Sequence, residues 1–388
     1  MTGGLPRPVR ALIGVRVINQ LGAYVMAFLA VLAGPDLASA ALAVFGVAAL
    51  ASRWLGGVLL DRPAPRTLIA LGLACTGAAL LVLAAAHGPP QTLGAAALVG
   101  LAFEIYEPAT QEALARAAPV GRQSDVYGVL GTSLVAAGAV GGLLAAVLLP
   151  LGARWLAVVD AATCFAAAVL ALIFLPHEPV RRRVRDGAWR PSARLVRLTL
   201  AGTAFAAGYL AVVMYLPFVL LQRGAPAWLP GLALTGAAVL SPLTGRLGRQ
   251  VLDRLPHERV LALGTLFLAV AAFALAAGRS VPLTVGAYLA WAVADSALQG
   301  RWQALIAEIA PEAERPRWFA FFGSSWGVAQ PAVPGLAALA GGAMPVAAGA
   351  FLLVPLIFRR PRHGVPDAGA SRGRAAIGER DRSQGEMV

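Results

Sequence analysis

The chain has 388 residues, 59% of them hydrophobic and only 13% charged, with a formal net charge of +13. A soluble domain displays about 25% charged residues, so a water-exposed surface of this size has half the charge it needs, and a soluble enzyme is excluded. The positive charge lies in short gaps between long apolar runs, which is a membrane-topology pattern and not the clustered basic face of a nucleic-acid binder.

A hydrocarbon core about 30 Å thick takes about 20 apolar residues per helix, and each span must satisfy its own backbone hydrogen bonds. With that ruler the chain reads as an all-α integral membrane protein of twelve transmembrane helices. The first six spans fall near residues 11–33, 38–60, 67–86, 92–115, 125–149 and 153–175. A polar, basic linker at 176–197 follows. The last six fall near 198–221, 227–246, 259–278, 281–306, 318–338 and 341–358. This divides the chain into an N-terminal half (1–175), a C-terminal half (198–358) and a charged tail (359–388) with the composition of a disordered segment. The first run is too long for a signal-peptide core and is followed by further apolar segments, so it is expected to be a membrane span.

All 32 basic residues are arginine, and 26 of them fall on the side that holds both termini and the central linker, against three on the opposite side. That bias places both termini in the cytoplasm by the positive-inside rule, with a bacterial cytoplasmic membrane as the expected location. Shifting the chain by 192 residues superposes the halves. Asp61-Arg62 meets Asp253-Arg254, Ala70-Leu71-Gly72 meets Ala262-Leu263-Gly264, and Gln111, Pro119 and Ser133 meet Gln303, Pro311 and Ser325. Two parallel halves imply a pseudo-twofold axis along the membrane normal and a substrate site between them near mid-membrane.

Gly57, Asp61, Arg62 and Arg66, between spans two and three, resemble the G-x-x-x-D-R-x-G-R-R loop of the major facilitator superfamily, with Ala64 and Pro65 where that family has Gly and Arg. Asp253 and Arg254 form a weaker second copy, with Arg249 at the Gly position. The resemblance implies a conformational latch at this edge; a solvated loop that only sets topology is the plainer reading. Gly138, Gly141 and Gly142 resemble the family's antiporter motif, although Ala139 replaces its proline, and the same spacing serves ordinary helix packing. Tyr106-Glu107-Pro108-Ala109, continued by Arg122 and Tyr127-Gly128, is similar to an element of drug-efflux members. The resemblance implies that spans one, four, seven and ten line the cavity.

Charges within a span cost about 2.5 to 3.5 kcal/mol each on insertion scales, so they are functional candidates. Glu104 and Glu107 are one turn apart in span four and, on a continuous helix, share a face that Gln111 extends. Two carboxylates this close in a low dielectric cannot both ionise cheaply, which suits a group that takes up and releases a proton. The 192-residue shift places Asp295 of span ten one residue from Glu104. Glu104, Glu107 and Asp295 are therefore the expected proton-coupling groups, and buried structural ion pairs are the rival reading. Arg301 lies about 240° around the helix from Asp295 and is expected to reach Glu104 or Glu107.

Arg16 and Asn19, in span one, either line a polar vestibule or anchor their helix. Tyr106, Tyr209, Tyr215, Tyr288, Trp291 and Phe28 are candidate aromatic walls, with Gln303 beside them; such walls suit amphipathic or cationic molecules, and lipid-facing positions are the rival reading. Arg53 and Asp160 are expected to be structural.

Cys75 and Cys164 lie in apolar runs, and the four histidines have no ligand spacing, so neither a disulfide nor a metal site is expected. No P-loop is present, and nothing resembles an integral-membrane transferase site. The expected protein is a monomeric secondary transporter in the lipid bilayer, with no cofactor, no nucleic-acid partner and a proton gradient as energy source. Its expected activity is proton-coupled efflux of hydrophobic or cationic small molecules by alternating access, with import or facilitated movement of a metabolite as the alternative.

Overall fold

The computed structural model describes residues 5–59, 64–103, 105–119, 123–176, 189–252, 254–311 and 314–358. Among these the chain forms helices and turns, and twelve crossings emerge where twelve are expected. Three of the crossings are broken. Span one consists of α1 (Arg7–Leu21) and α2 (Val25–Ala33), span four of α5 (Pro89–Phe103) and α6 (Glu107–Ala117), and span ten of α12 (Val281–Leu298) and α13 (Arg301–Ile309).

The other first-half crossings are α3 (Ala38–Leu59), α4 (Pro65–Ala85), α7 (Gln123–Leu148) and α8 (Ala153–Phe174). In the second half they are α9 (Ala193–Gln222), α10 (Leu229–Leu252), α11 (His257–Ala277), α14 (Arg315–Leu339) and α15 (Ala343–Phe358). α9 begins five residues before the expected edge because Ser192 caps it, its hydroxyl accepting from the Leu195 N–H at 3.3 Å.

Each break has a local cause. Pro108 sits in the first turn of α6, where its missing N–H is harmless, whereas in a continuous helix it could not donate to the carbonyl four residues earlier and its ring would clash there. Gly300 takes a left-handed conformation, φ 79°, between α12 and α13. At the first break the chain bends at Gly22, packed onto Asp160 and Thr163 of α8. α9 also contains a proline, Pro217, yet continues through it. Half of each broken span is too short to register as a full crossing by length, although the first and tenth do so when their halves are taken together.

Large apolar side chains such as Leu71, Ile173, Phe267, Val270 and Phe273 point outward, as a lipid-facing belt requires. Between the halves, α7 packs on α10, α3 on α14 and α2 on α9. These contacts concentrate away from the end at which α1 begins. Gly46 of α3 meets Pro331 of α14, Gly142 and Ala146 of α7 meet Gly231 of α10, and the Tyr215 hydroxyl of α9 donates to Ser39 Oγ of α3 at 3.2 Å. The buried core is continuous across the halves at this far end, joining Leu29, Leu42 and Phe45 to Leu210 and Leu216. The two cavities beside the broken helices lie in the near half of the bundle.

Candidate functional site

Two cavities flank the broken helices. The first, about 520 Å³, lies between spans one, two and four, with Arg16, Asn19, Arg53, Tyr106, Glu107 and Gln111 among its walls. The break in span four makes Glu107 the first residue of α6, where a carboxylate meets the positive end of the helix dipole. Arg16 Nη1 forms an ion pair with Glu107 Oε2. Gln111 Nε2 donates to the other carboxylate oxygen at 2.9 Å, one turn along α6. The Arg16 guanidinium also lies 5.9 Å from the Tyr106 ring centre.

Behind this pair runs a chain of polar contacts into the first half. Asn19 Nδ2 donates to the Tyr106 hydroxyl at 2.9 Å, and the Cys164 thiol lies 3.3 Å from Asn19 Oδ1 and 3.7 Å from Asp160 Oδ1. Asp160 and Cys164 are buried on α8. The expected structural role of Asp160 agrees with this placement, because it braces the residues that hold Arg16 without lining the cavity.

The second cavity, about 220 Å³, lies between spans seven, ten and eleven. Asp295 in the last turn of α12 lines it together with Gln299, Gln303 and a set of aromatic rings. Asp295 is buried, with Gln299 beside it on the same cavity wall; among the described residues it forms no ion pair. Tyr209 stands in this wall, with its ring centre 5.4 Å from that of Trp291, and Trp291 stacks on Tyr288 behind it.

The internal repeat reappears in three dimensions. Gln111 and Gln303, 192 residues apart, occupy corresponding walls of the two cavities, as do Glu107 and Gln299. Gly72 packs against Tyr106 in the first half, and its counterpart Gly264 packs against Leu298 in the second.

Several expectations change. Glu104 lies outside the described residues, and the helix break between Phe103 and Glu107 removes the continuous turn that was to place Glu104 and Glu107 on one face. Arg301 does not reach Glu107, whose partner is Arg16. It is buried on α13, which packs against α11, and its Nη1 lies 3.5 Å from His257 Nδ1. His257 opens α11. Tyr215 belongs to the far-end contact, and Phe28 is wholly buried against Tyr24.

Of the latch motif, Asp61, Arg62 and Asp253 lie outside the described residues. Gly57 falls within α3, Arg66 in the first turn of α4, and Arg254 just beyond α10. Arg53, read as structural, lines the first cavity. Sequence reasoning also missed Gln299, Trp302 and Trp326 in the second. The repeat carried a signal for Gln299, since it falls opposite Glu107; nothing comparable marked the two tryptophans.

The Major Facilitator Superfamily profile matches residues 12–250 and 224–380. No curated protein sequence matches the chain. Among solved structures, an auto-inhibited POT family peptide transporter superposes with a TM-score of 0.75 at 15% identity, over 94% of this chain and 99% of the other. A POT family transporter in complex with 5-aminolevulinic acid gives 0.75 at 12% identity, over 91% and 95%. A D-xylose-proton symporter gives 0.68 at 13% identity, over 91% and 96%. At these identities the structures speak for the fold, which is the twelve-helix arrangement already derived. With the profile spanning nearly the whole chain and the broken helices enclosing paired cavities, this multi-pass membrane transporter belongs to the major facilitator superfamily.

Proposed function

We propose that the chain is a proton-coupled importer of a small organic solute bearing an anionic group, working by alternating access in a bacterial cytoplasmic membrane with both termini inside. The observation that carries this reading is the Arg16–Glu107 ion pair on the wall of the first cavity. While Glu107 is ionised, it holds the Arg16 guanidinium. A proton placed on Glu107 Oε2 releases that guanidinium for a carboxylate or phosphate of the solute, so proton and solute together restore local neutrality. A carrier that moves only when this charge is balanced couples the two fluxes in the same direction.

The closed far end and the near-half cavities then correspond to a state open toward the cytoplasm, given the arginine bias. Glu107 carries the proton in this scheme. Asp295 contacts solute. The efflux reading loses its footing, because Tyr106, Glu107 and Pro108 have a local role at a helix break and a charge pair. The fold neighbours, peptide transporters and a sugar-proton symporter, are in keeping with import.

The test is accumulation by proteoliposomes with an acidic exterior, with trapped pyranine reporting proton entry. The panel comprises dipeptides, glycine betaine, D-xylose and tetraphenylphosphonium. The expected result is uptake of a carboxylate-bearing solute with proton entry, lost in Glu107→Gln. Extrusion of tetraphenylphosphonium against the proton gradient, with no uptake of the others, overturns the reading.

A further inference from the structure

We propose that the second cavity is a cage for a quaternary ammonium head group, so that the transported solute carries a methylated cation; this rests on the reading of the two near-half cavities as the transport site. Five of its walls are aromatic: Phe205 and Tyr209 from α9, Trp302 from α13, and Phe322 and Trp326 from α14. The rings meet at angles and form corners. Tyr209 and Trp326 have centres 5.3 Å apart with planes at 73°, Phe205 and Trp302 are 5.6 Å apart at 54°, and Trp302 and Phe322 are 5.5 Å apart at 30°. Aromatic rings lining one space, with an acid among them, suit a cation, because the ring quadrupole attracts positive charge.

The charge inside the cage agrees. Asp295 is the one ionisable acid or base among the described lining residues apart from the Tyr209 phenol, and no arginine or histidine pairs with it among the described residues. A neutral polyol would need acceptors and donors spread around it, whereas the amide and carboxylate side chains here, Asp295, Gln299 and Gln303, all come from one span and the remaining walls are mainly ring carbon. A primary ammonium would leave its three N–H groups facing mostly ring carbon. A methylated ammonium needs no hydrogen bonds and fits within the cavity of about 220 Å³ with apolar methyl groups around a single charge. The buried Trp302 indole N–H has no hydrogen-bond partner among the described residues.

The measurement is isothermal titration calorimetry of the purified full chain in nanodiscs, without a proton gradient. The probes are tetramethylammonium, choline and 3,3-dimethyl-1-butanol, the neutral carbon isostere of choline. Choline is expected to bind at least about tenfold more tightly than the isostere, the ratio that a desolvated cation–π and carboxylate contact supplies. Asp295→Asn is expected to bring choline down to the isostere's level, and Trp326→Leu to weaken it while Trp326→Phe retains it.

Equal affinity for choline and its isostere overturns the proposal without any variant, as does failure of both cations to bind wild-type protein. Unchanged choline binding in Asp295→Asn also overturns it. Since no gradient is applied, ammonium binding with no proton-driven uptake counts against the coupling scheme alone, and proton-driven uptake of non-ammonium solutes with no choline binding counts against the cage alone.

Discussion

Arg16, in the middle third of the first span, and Glu107, the opening residue of a helix that exists only because the fourth span is broken, are joined in an ion pair across the first cavity. Their side chains keep 17% and 32% of their exposure, so solvent screens the attraction, and the pair contributes about 1 kcal/mol or less to stability. Glu107→Gln is therefore expected to leave the melting temperature within a few degrees of wild type. In proteoliposomes it should reduce gradient-driven uptake at least tenfold, on the order of a 1.4 kcal/mol change or more, while solute exchange at equal pH persists. Uptake that still follows the pH gradient in this variant would remove Glu107 from the coupling step.

Close packing of the halves at the far end rests on glycines. A Cβ on Gly231 would lie 2.3 Å from the Ala146 backbone nitrogen, and one on Gly142 would lie 2.4 Å from Thr235 Oγ1 and 2.8 Å from the Gly231 carbonyl. Gly231→Val should force α7 and α10 apart and cost about 1–3 kcal/mol, read as a lower melting temperature. Gly128 on the partner helix α7 offers an internal control, since a Cβ there meets nothing within 4 Å. Gly128→Ala should be close to neutral. Helix propensity favours both replacements over glycine, so a loss of stability in Gly231→Val alone reports the contact between halves, and equal stability of the two variants would argue against that contact.

The Tyr215–Ser39 hydrogen bond joins α9 to α3 across the far end at 3.2 Å. Tyr215→Phe keeps the ring and removes this bond, a net loss of about 1 kcal/mol from the state closed at that end. The balance between states should move by roughly fivefold toward opening there. A reporter cysteine at Ser39 would itself delete the bond, so the reporter belongs at Leu37, labelled by a membrane-impermeant maleimide with and without the Tyr215→Phe change. Faster labelling at position 37 in Tyr215→Phe is the expected outcome, and an unchanged rate would argue that apolar packing alone closes this end.

Gly300 adopts φ 79°, and a Cβ there has open space around it, so the backbone conformation is the constraint rather than crowding. Gly300→Ala should cost about 1 kcal/mol, the usual penalty for an L-residue held left-handed. If α12 and α13 instead join into one helix in the variant, Asp295 and Gln303 change their relative orientation. Choline binding would then fall more steeply than stability does.

The twelve crossings, the arginine bias and the two-fold repeat were legible in the linear chain because membrane thickness, charge insertion cost and a fixed 192-residue offset act locally or by simple periodicity. The same offset located Gln111 and Gln303 in equivalent positions, and both do line their cavities. Pro108 is visible in the linear chain as well, but the break it accompanies, which makes Glu107 a helix start, is not.

Which cation meets which acid could not be read from one dimension. Arg16 and Arg301 carry the same charge at comparable depth, and only the packing of α1 against α6, and of α13 against α11, gives Glu107 to the first and His257 to the second. The aromatic cage is tertiary in the same way, since its rings come from three spans and each alone resembles an ordinary apolar residue in a membrane helix. Apolar length and charge asymmetry are properties of a segment against the bilayer, so the features that depend on them are written in the order of the residues. Pairing, cage and closure depend on angles between helices, and those exist only once the helices have packed.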